Sequence, residues 1–295
     1  MAKARKILKR TKAIKNIRTI TRTMEMISSA RFKQTHDLVV GIRPYAKRLS
    51  EMVGDLVAHC NPDQLDHPLL RPVPGARRDV LLVLTANRGL CAAYNSSVLK
   101  IALERRGQIL ENEGDVRLWV SGKRGIGRLN HRGLAMDRTF TQFDNVPSFR
   151  AVAAVADELM ADFLAGRISG LEVAYMQYIS AGRQAPAIAK VLPLSFLEAH
   201  APTPGGRDLL TPYEFLPEAG EVLGRLLPAT VRVKLFQCFV DAAVSEQVMR
   251  VAAMRAATDS ADEMVQTLTV RYNRMRQAQI TTELAEIMGG RAGLE

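Results

Sequence analysis

Residues Ala229 to Met288, ATVRVKLFQCFVDAAVSEQVMRVAAMRAATDSADEMVQTLTVRYNRMRQAQITTELAEIM, run without a proline or a glycine. Within them Val240, Val244, Gln247, Val251, Met254, Thr258, Ala261, Val265, Leu268, Tyr272 and Met275 recur in steps of three and four and keep one register. That spacing is the seam of a coiled coil. A helix of about 60 residues spans about 90 Å at 1.5 Å per residue, and helices of that length belong to coiled coils. Pro228, just before the run, suits a helix start.

The other chain end carries a matching signal. Ile14, Ile17, Thr21, Met24 and Ser28 begin a second series of threes and fours. Leu38, Ile42, Tyr45, Leu49, Met52 and Leu56 continue it in the same register through Arg31 and Thr35. Pro44 lies inside this helix and is expected to kink or loosen it. Two long seams at opposite ends predict one antiparallel pair, with whatever lies between them inserted between its arms.

The insertion alternates strand and helix patterns. Asp79 to Thr85 (DVLLVLT) reads as a buried strand, Ala93 to Leu110 as a helix and Val116 to Val120 as a strand. Phe149 to Leu164 reads as a helix and Leu171 to Ile179 as a strand. Alternation of this kind predicts a small α/β sheet. Proline- and glycine-rich stretches, 61–75 and 201–206, read as linkers. The expected division is 1–57 for an N-terminal coiled-coil helix, 78–210 for the α/β domain and 221–288 for the C-terminal helix.

The formal net charge is +11, and its excess is local. Between Met1 and His36 stand eleven lysines and arginines against one acid, Glu25. Such a stripe is a solvated helix face, a nucleic-acid contact or a contact with an acidic protein surface. Phe32 is the sole aromatic before Tyr45, which speaks against stacking on single-stranded bases. A basic coiled-coil nucleic-acid-binding protein is therefore the alternative reading. Three widely spaced cysteines, Cys60, Cys91 and Cys238, make neither a disulfide framework nor a zinc site. No 7–15-residue apolar run follows the charged N-terminus, so no secretory signal is read. No segment reaches the roughly 18–20 apolar residues of a membrane span.

Catalytic signatures are lacking. No GxxxxGK[ST] loop occurs. Gly122, Gly125 and Gly127 resemble a phosphate-binding turn, but Asn130 stands where the dinucleotide fingerprint needs glycine, so the segment reads as a turn with basic residues. The five histidines show no metal-binding spacing, and nothing near Cys91 marks it as an activated nucleophile. No catalytic, metal or cofactor residue is assigned.

Three stretches resemble the γ subunit of F-type ATP synthases. They are Ile14 to Met26 (IKNIRTITRTMEM) with Arg43-Pro44-Tyr45, Thr85 to Asn95 (TANRGLCAAYN), and the C-terminal helix. The helix matches at Ser245-Glu246-Gln247, at Met254 to Asp259 and above all at Tyr272 to Ile287 (YNRMRQAQITTELAEI). The resemblance implies an α/β plus coiled-coil fold: a long antiparallel two-helix coiled coil from the N- and C-termini with an inserted Rossmann-like α/β domain. It implies a rotor standing inside a head of α and β subunits, resting on the membrane c-ring and binding ε, peripheral to the cytoplasmic face of the membrane, with catalysis left to β. Carried over residue by residue, Arg276 and Gln277 match a pair that hydrogen-bonds a β-subunit loop. Arg22 and Met24 match positions facing an acidic β segment. Tyr213 and Pro217 match the c-ring and ε foot. There Leu216 replaces the family's Glu, and Glu214 or Glu218 is expected to substitute. Asn87 in place of Asp, the pair Ala92-Ala93 in place of a glycine-containing pair, and Arg291 in place of Ala suggest a divergent branch.

Overall fold

The computed structural model describes residues 2–59, 67–71, 78–112, 114–144, 146–194 and 219–292. Its chain divides into two compact units, Ala30–Met249 and the paired segments Met1–Ser29 with Arg250–Glu295. The long helices α1 (Ala2–His59) and α5 (Ala219–Ala292) each contribute to both.

The larger unit is built on a five-stranded sheet. Strands β1 (Arg78–Leu84), β2 (Asp115–Ser121), β3 (Arg138–Phe140), β4 (Gly170–Ser180) and β5 (Arg183–Leu192) lie in the order β3-β2-β1-β4-β5. All neighbours are parallel except the β4–β5 hairpin. Helices α2 (Tyr94–Glu111), α3 (Lys123–His131) and α4 (Phe149–Leu164) join the parallel strands.

Why β1 is apolar without interruption follows from this layering. Leu81 and Val83 face a core with Val98 and Leu99 of α2 and Leu129 of α3, while Val80, Leu82 and Leu84 face the opposite core. That second core is closed by Val152, Leu159 and Phe163 of α4, by Val39, Val53 and Leu56 of α1, and by Leu227, Val231 and Leu235 of α5. A strand covered on both faces has no solvent side to carry polar residues.

Three sequence expectations change here. Pro228 does not start α5, which begins at Ala219 and continues through the proline. Pro44 lies inside α1, as read. The 61–75 linker contains an anchor: Pro68–Leu70 forms a turn of 3-10 helix, Leu69 is buried, and its carbonyl accepts the Leu194 N–H at 2.9 Å. Residues 123–131 form helix α3 rather than a plain turn. Strand β5 escapes a sequence reading because Pro186 interrupts it. At a sheet edge the missing N–H costs no ladder bond.

The smaller unit is a helix pair. Thr21 Oγ1 and Thr258 Oγ1 lie 2.8 Å apart, and the Arg18 guanidinium meets the Asp262 carboxylate at 2.8 Å. Ile14 packs with Ala261 and Leu268, flanked by Ile7 and Val265. Partner numbers fall on α1 as they rise on α5, so the pairing is antiparallel.

The C-terminal seam is as read: each of its eleven positions from Val240 to Met275 is buried or half-buried. The N-terminal seam holds except at three positions. Ile14, Thr21, Ser28, Thr35, Leu49 and Leu56 are buried, and Met24, Arg31, Leu38 and Ile42 are half-buried. Ile17, Tyr45 and Met52 are 53%, 55% and 48% exposed, while their neighbours Arg18, Ala46 and Val53 turn inward. At these three positions the outward flank is also apolar, so apolarity does not distinguish the two flanks.

Candidate partner interface

The outward face of α1 in the smaller unit combines two kinds of group. Arg5, Lys6, Lys9, Arg10, Lys12, Lys15 and Arg22 are exposed, and among the described residues only Arg18 of the basic stripe finds an acid, Asp262. Between the cations stand large apolar side chains open to solvent: Leu8, Ile17, Ile20, Met26 and Ile27, each between 49% and 59% exposed. Isoleucine and methionine on a solvated face lose the stabilisation that burial would bring. Several large apolar side chains left in solvent among charges on one short stretch mark an interaction surface. Leu8, Ile20, Met26 and Ile27 stand off the seam register in the sequence, whereas Ile17 falls on it.

The seam beneath this face is partly polar. Thr21 and Thr258 each also lie at hydrogen-bond distance from a carbonyl of their own helix, Arg18 O at 3.0 Å and Met254 O at 2.9 Å. Each hydroxyl has one proton, so one threonine donates to its own helix and accepts from the other. Both buried hydroxyls are thereby satisfied, which burial requires.

The expected contact residues fall at separate levels. Arg22 is exposed and Met24 half-buried, beside the Thr21–Thr258 contact. Arg276 and Gln277 are exposed on α5, 18 and 19 residues beyond Thr258, which is about 27 Å along a helix. Arg276 lines an open cavity of about 470 Å³ together with Arg5, Lys9, Tyr272 and Glu283. Gln277 presents its side chain outward while its carbonyl accepts from Thr281. Tyr213, Glu214, Leu216, Pro217 and Glu218 lie outside the described residues, as does the 201–206 linker.

The phosphate-like turn is occupied by protein. The N–H groups of Gly122, Lys123, Arg124 and Gly125 donate to Phe140 O, Asn87 Oδ1, Ala86 O and Thr85 Oγ1 respectively. None is left to cradle a phosphate in the way a P-loop does. Its glycines have structural reasons: a β-carbon on Gly122, at φ +102°, would meet Thr85 O at 2.0 Å, and one on Gly125 would meet Thr85 Oγ1 at 2.4 Å. Cys91 is buried, its sulfur accepting the Asn95 side-chain amide at 3.2 Å. His67 caps the 3-10 turn by accepting the Leu69 N–H, and His36 packs edge-on against Tyr178.

One charge network, buried at its acid and half-exposed at its arginine, is not legible in the sequence. Arg43 of α1 donates to the Tyr178 carbonyl of β4, reaches Asp241 Oδ1 of α5 at 3.4 Å and stacks over the Tyr178 ring. Burial pushes the Asp241 carboxyl up to about 6 although Arg43 pulls the other way. Desolvation outweighs an ion pair that is long on one side. Burial likewise pushes the Cys238 thiol up to about 12. Arg43 was legible only as part of Arg43-Pro44-Tyr45. Its partners lie 135 and 198 residues away.

Comparison with known proteins agrees with this geometry. The ATP synthase family profile matches residues 3–294. The ATP synthase gamma chain of Rhodopirellula baltica is 42% identical over 297 residues, covering all of both chains. That of Frankia casuarinae is 36% identical over 294 residues, covering 97% of this chain and 96% of its own. Among solved structures, a chain of the Euglena gracilis mitochondrial ATP synthase, in a structure of OSCP, F1 and c-ring, shares the fold with TM-score 0.69 at 17% identity, covering 99% of this chain and 95% of its own. A chain from the rotor of the same assembly gives 0.62 at 18% identity. Matched end to end by the family profile and by gamma chains of its own length, this chain belongs to the ATP synthase gamma-chain family.

Proposed function

We propose that the chain is the central-stalk rotor subunit of an F-type ATP synthase, coupling ion flow through the membrane c-ring to conformational change at catalytic β subunits, with no catalytic site of its own. In this reading 1–57 and 221–288 form the shaft, and 78–210 forms the α/β domain. The paired ends stand within the head of α and β subunits. The 213–217 segment meets the c-ring and ε. The subunit is peripheral to the cytoplasmic face of the membrane; among the described residues no helix is long and apolar enough to cross one.

The observation that carries this is the division of α1 in the smaller unit into an inward seam and an outward face of unpaired cations among exposed isoleucine, leucine and methionine. A rotor must bias each catalytic subunit through differential contact energy. Its contacts must also break each time it turns, which favours solvent-screened charge over a wholly apolar seal. Nucleic acid would use the cations but leave the apolar side chains uncovered, so an acidic protein surface fits better. Arg276, Gln277, Arg22 and Met24 are the contacts assigned to β. An arginine there suits bidentate pairing with a carboxylate.

Reconstitution with α and β subunits tests the reading. The expected product is a stable 3:3:1 assembly with ATPase activity and no retention of DNA. Combined Arg276→Ala and Gln277→Ala is expected to lower assembled ATPase roughly tenfold, the equivalent of about 1.4 kcal/mol, with the melting of the free chain unchanged. Unaltered turnover and coupling in that variant would remove the assigned contact. Failure to form the assembly would remove the reading.

A further inference from the structure

In the larger unit α1, β4 and α5 meet at one polar triangle. The β4–β5 ladder shifts register between Tyr178 and Ser180, and such irregularities turn backbone groups out of the ladder. There the Tyr178 N–H donates to the Asp241 carboxylate of α5, and the Tyr178 carbonyl accepts from the Arg43 guanidinium of α1. Arg43 closes the triangle by reaching Asp241 Oδ1 at 3.4 Å while lying over the Tyr178 ring. The Asp241 side chain is 4% exposed, and its neighbours Val240, Ala242 and Val244 belong to an apolar core that also holds Val39 of α1.

A carboxylate in such a place is costly unless its surroundings replace the water it has lost. The other titratable and charged groups near it do little of this. β4 brings Tyr175, whose hydroxyl is hydrogen-bonded with the Cys238 thiol of α5, and burial raises both groups and keeps them neutral. α5 also brings Lys234, whose ammonium burial disfavours and which faces Lys190 of β5. α1 adds His36, edge-on to the Tyr178 ring. Among the described residues Arg43 is the one cation paired with Asp241. The cation stands on α1 and the carboxylate on α5. Lifting α1 therefore gives Asp241 water, and the desolvation cost of the ionised carboxylate falls on the closed arrangement alone. A proton on Asp241 removes that cost, and the protonated carboxyl can still accept the Tyr178 N–H.

We propose that Arg43 and Asp241 form a proton-operated latch: α1 is held more firmly on β4 and α5 when Asp241 is protonated, and opens more readily through 36–50 when Asp241 is ionised. The sign follows from linkage. Burial raises the Asp241 carboxyl from 3.8 to about 6 in the closed arrangement, so the extra hold is full below 3.8 and is lost as pH rises through 6. Opening is expected to become roughly tenfold more favourable between pH 5 and pH 7. The latch lies within the larger unit and is independent of the rotor reading.

Mass-resolved hydrogen exchange of the full chain, unaltered and as Asp241→Asn, tests this at matched pH, where the intrinsic chemistry of exchange cancels in the ratio. The ratio of unaltered to Asp241→Asn exchange through 36–50 is expected to rise roughly tenfold from pH 5 to pH 7. Exchange there is expected to run faster than in β1 and to respond weakly to dilute urea, because a local opening exposes little surface. Arg43→Met is expected to speed 36–50 exchange at pH 7 roughly tenfold or more, and adding Asp241→Asn to undo most of that rise. With His36→Gln in both backgrounds the pH-dependent rise is expected to stay within about twofold of its value without it. Circular dichroism checks that each variant keeps its helices. A ratio that does not change with pH, a rise that disappears with His36→Gln, or exchange through 36–50 that only keeps pace with β1 would each overturn the latch.

Discussion

Asp241 shows how a single residue can carry a pH response. Its carboxyl, 4% exposed, titrates at about 6 when folded against an ordinary 3.8. Between those values the folded chain holds a proton that the unfolded chain has released, so stability rises as pH falls through 6. Above pH 6 the buried carboxylate costs about 2–3 kcal/mol relative to its protonated form. Asp241→Asn, which resembles the protonated form, is therefore expected to raise stability at pH 7 by about 2 kcal/mol while flattening the profile between pH 4 and 6. Arg43→Met, which leaves the carboxylate unpaired, is expected to cost about 2–4 kcal/mol at pH 8 and clearly less at pH 5. Urea unfolding followed through Trp119, the one tryptophan, measures both. Gly122 makes a sharper test. Gly122→Ala places a β-carbon 2.0 Å from the Thr85 carbonyl at a left-handed φ, and is expected to destabilise by about 3 kcal/mol or more in the same assay.

At the scale of elements, the two long helices differ in how plainly they announce their inner face. On α5 the outward positions are mostly polar, so periodicity alone found the seam. On α1 both flanks of the 14, 21, 28 series offer apolar candidates, and Ile17 was preferred to Arg18 and Met52 to Val53. Val53 is wholly buried and Met52 is 48% exposed. Val53→Ala is accordingly expected to cost about 2 kcal/mol, and Met52→Gln less than about 0.5 kcal/mol. Equal costs, read from urea unfolding through Trp119, would restore the register taken from the sequence. The inward flank includes charged residues because Arg18 pairs with Asp262. No pattern on one helix contains that information.

The whole chain joins units of unequal cohesion. The sheet-bearing unit has two apolar cores, one on each face of its sheet. Among the described residues the helix pair has one small apolar cluster, Ile14, Ala261 and Leu268 with Ile7 and Val265 against it, besides buried Met254, the Thr21–Thr258 contact and the half-exposed Arg18–Asp262 pair. Few buried apolar contacts mean low local stability. Amide exchange in the free chain is expected to be at least tenfold faster through 5–29 and 250–285 than through β1, β2 and β4, with protection of the helix pair rising on assembly with α and β. Mass-resolved hydrogen exchange on free and assembled protein reads both quantities. Exchange as slow in the helix pair as in the sheet would show that the pair needs no partner.

Periodicity, an unbroken apolar strand and the position of proline and glycine are local quantities. They sufficed for the coiled-coil seam of α5, the buried strands β1, β2 and β4, and helices α2 and α4. The family was legible too, because motifs such as Tyr272 to Ile287 are strings. What only the tertiary structure decided depends on groups far apart in the chain. These are the inward flank of α1, the occupation of the Gly122 turn by Thr85, Ala86 and Asn87, and the Arg43–Asp241 tie. Each turns on which polar group lies opposite which across 36 to more than 200 residues of sequence, and burial energy and hydrogen bonding act on distance in space rather than on distance along the chain.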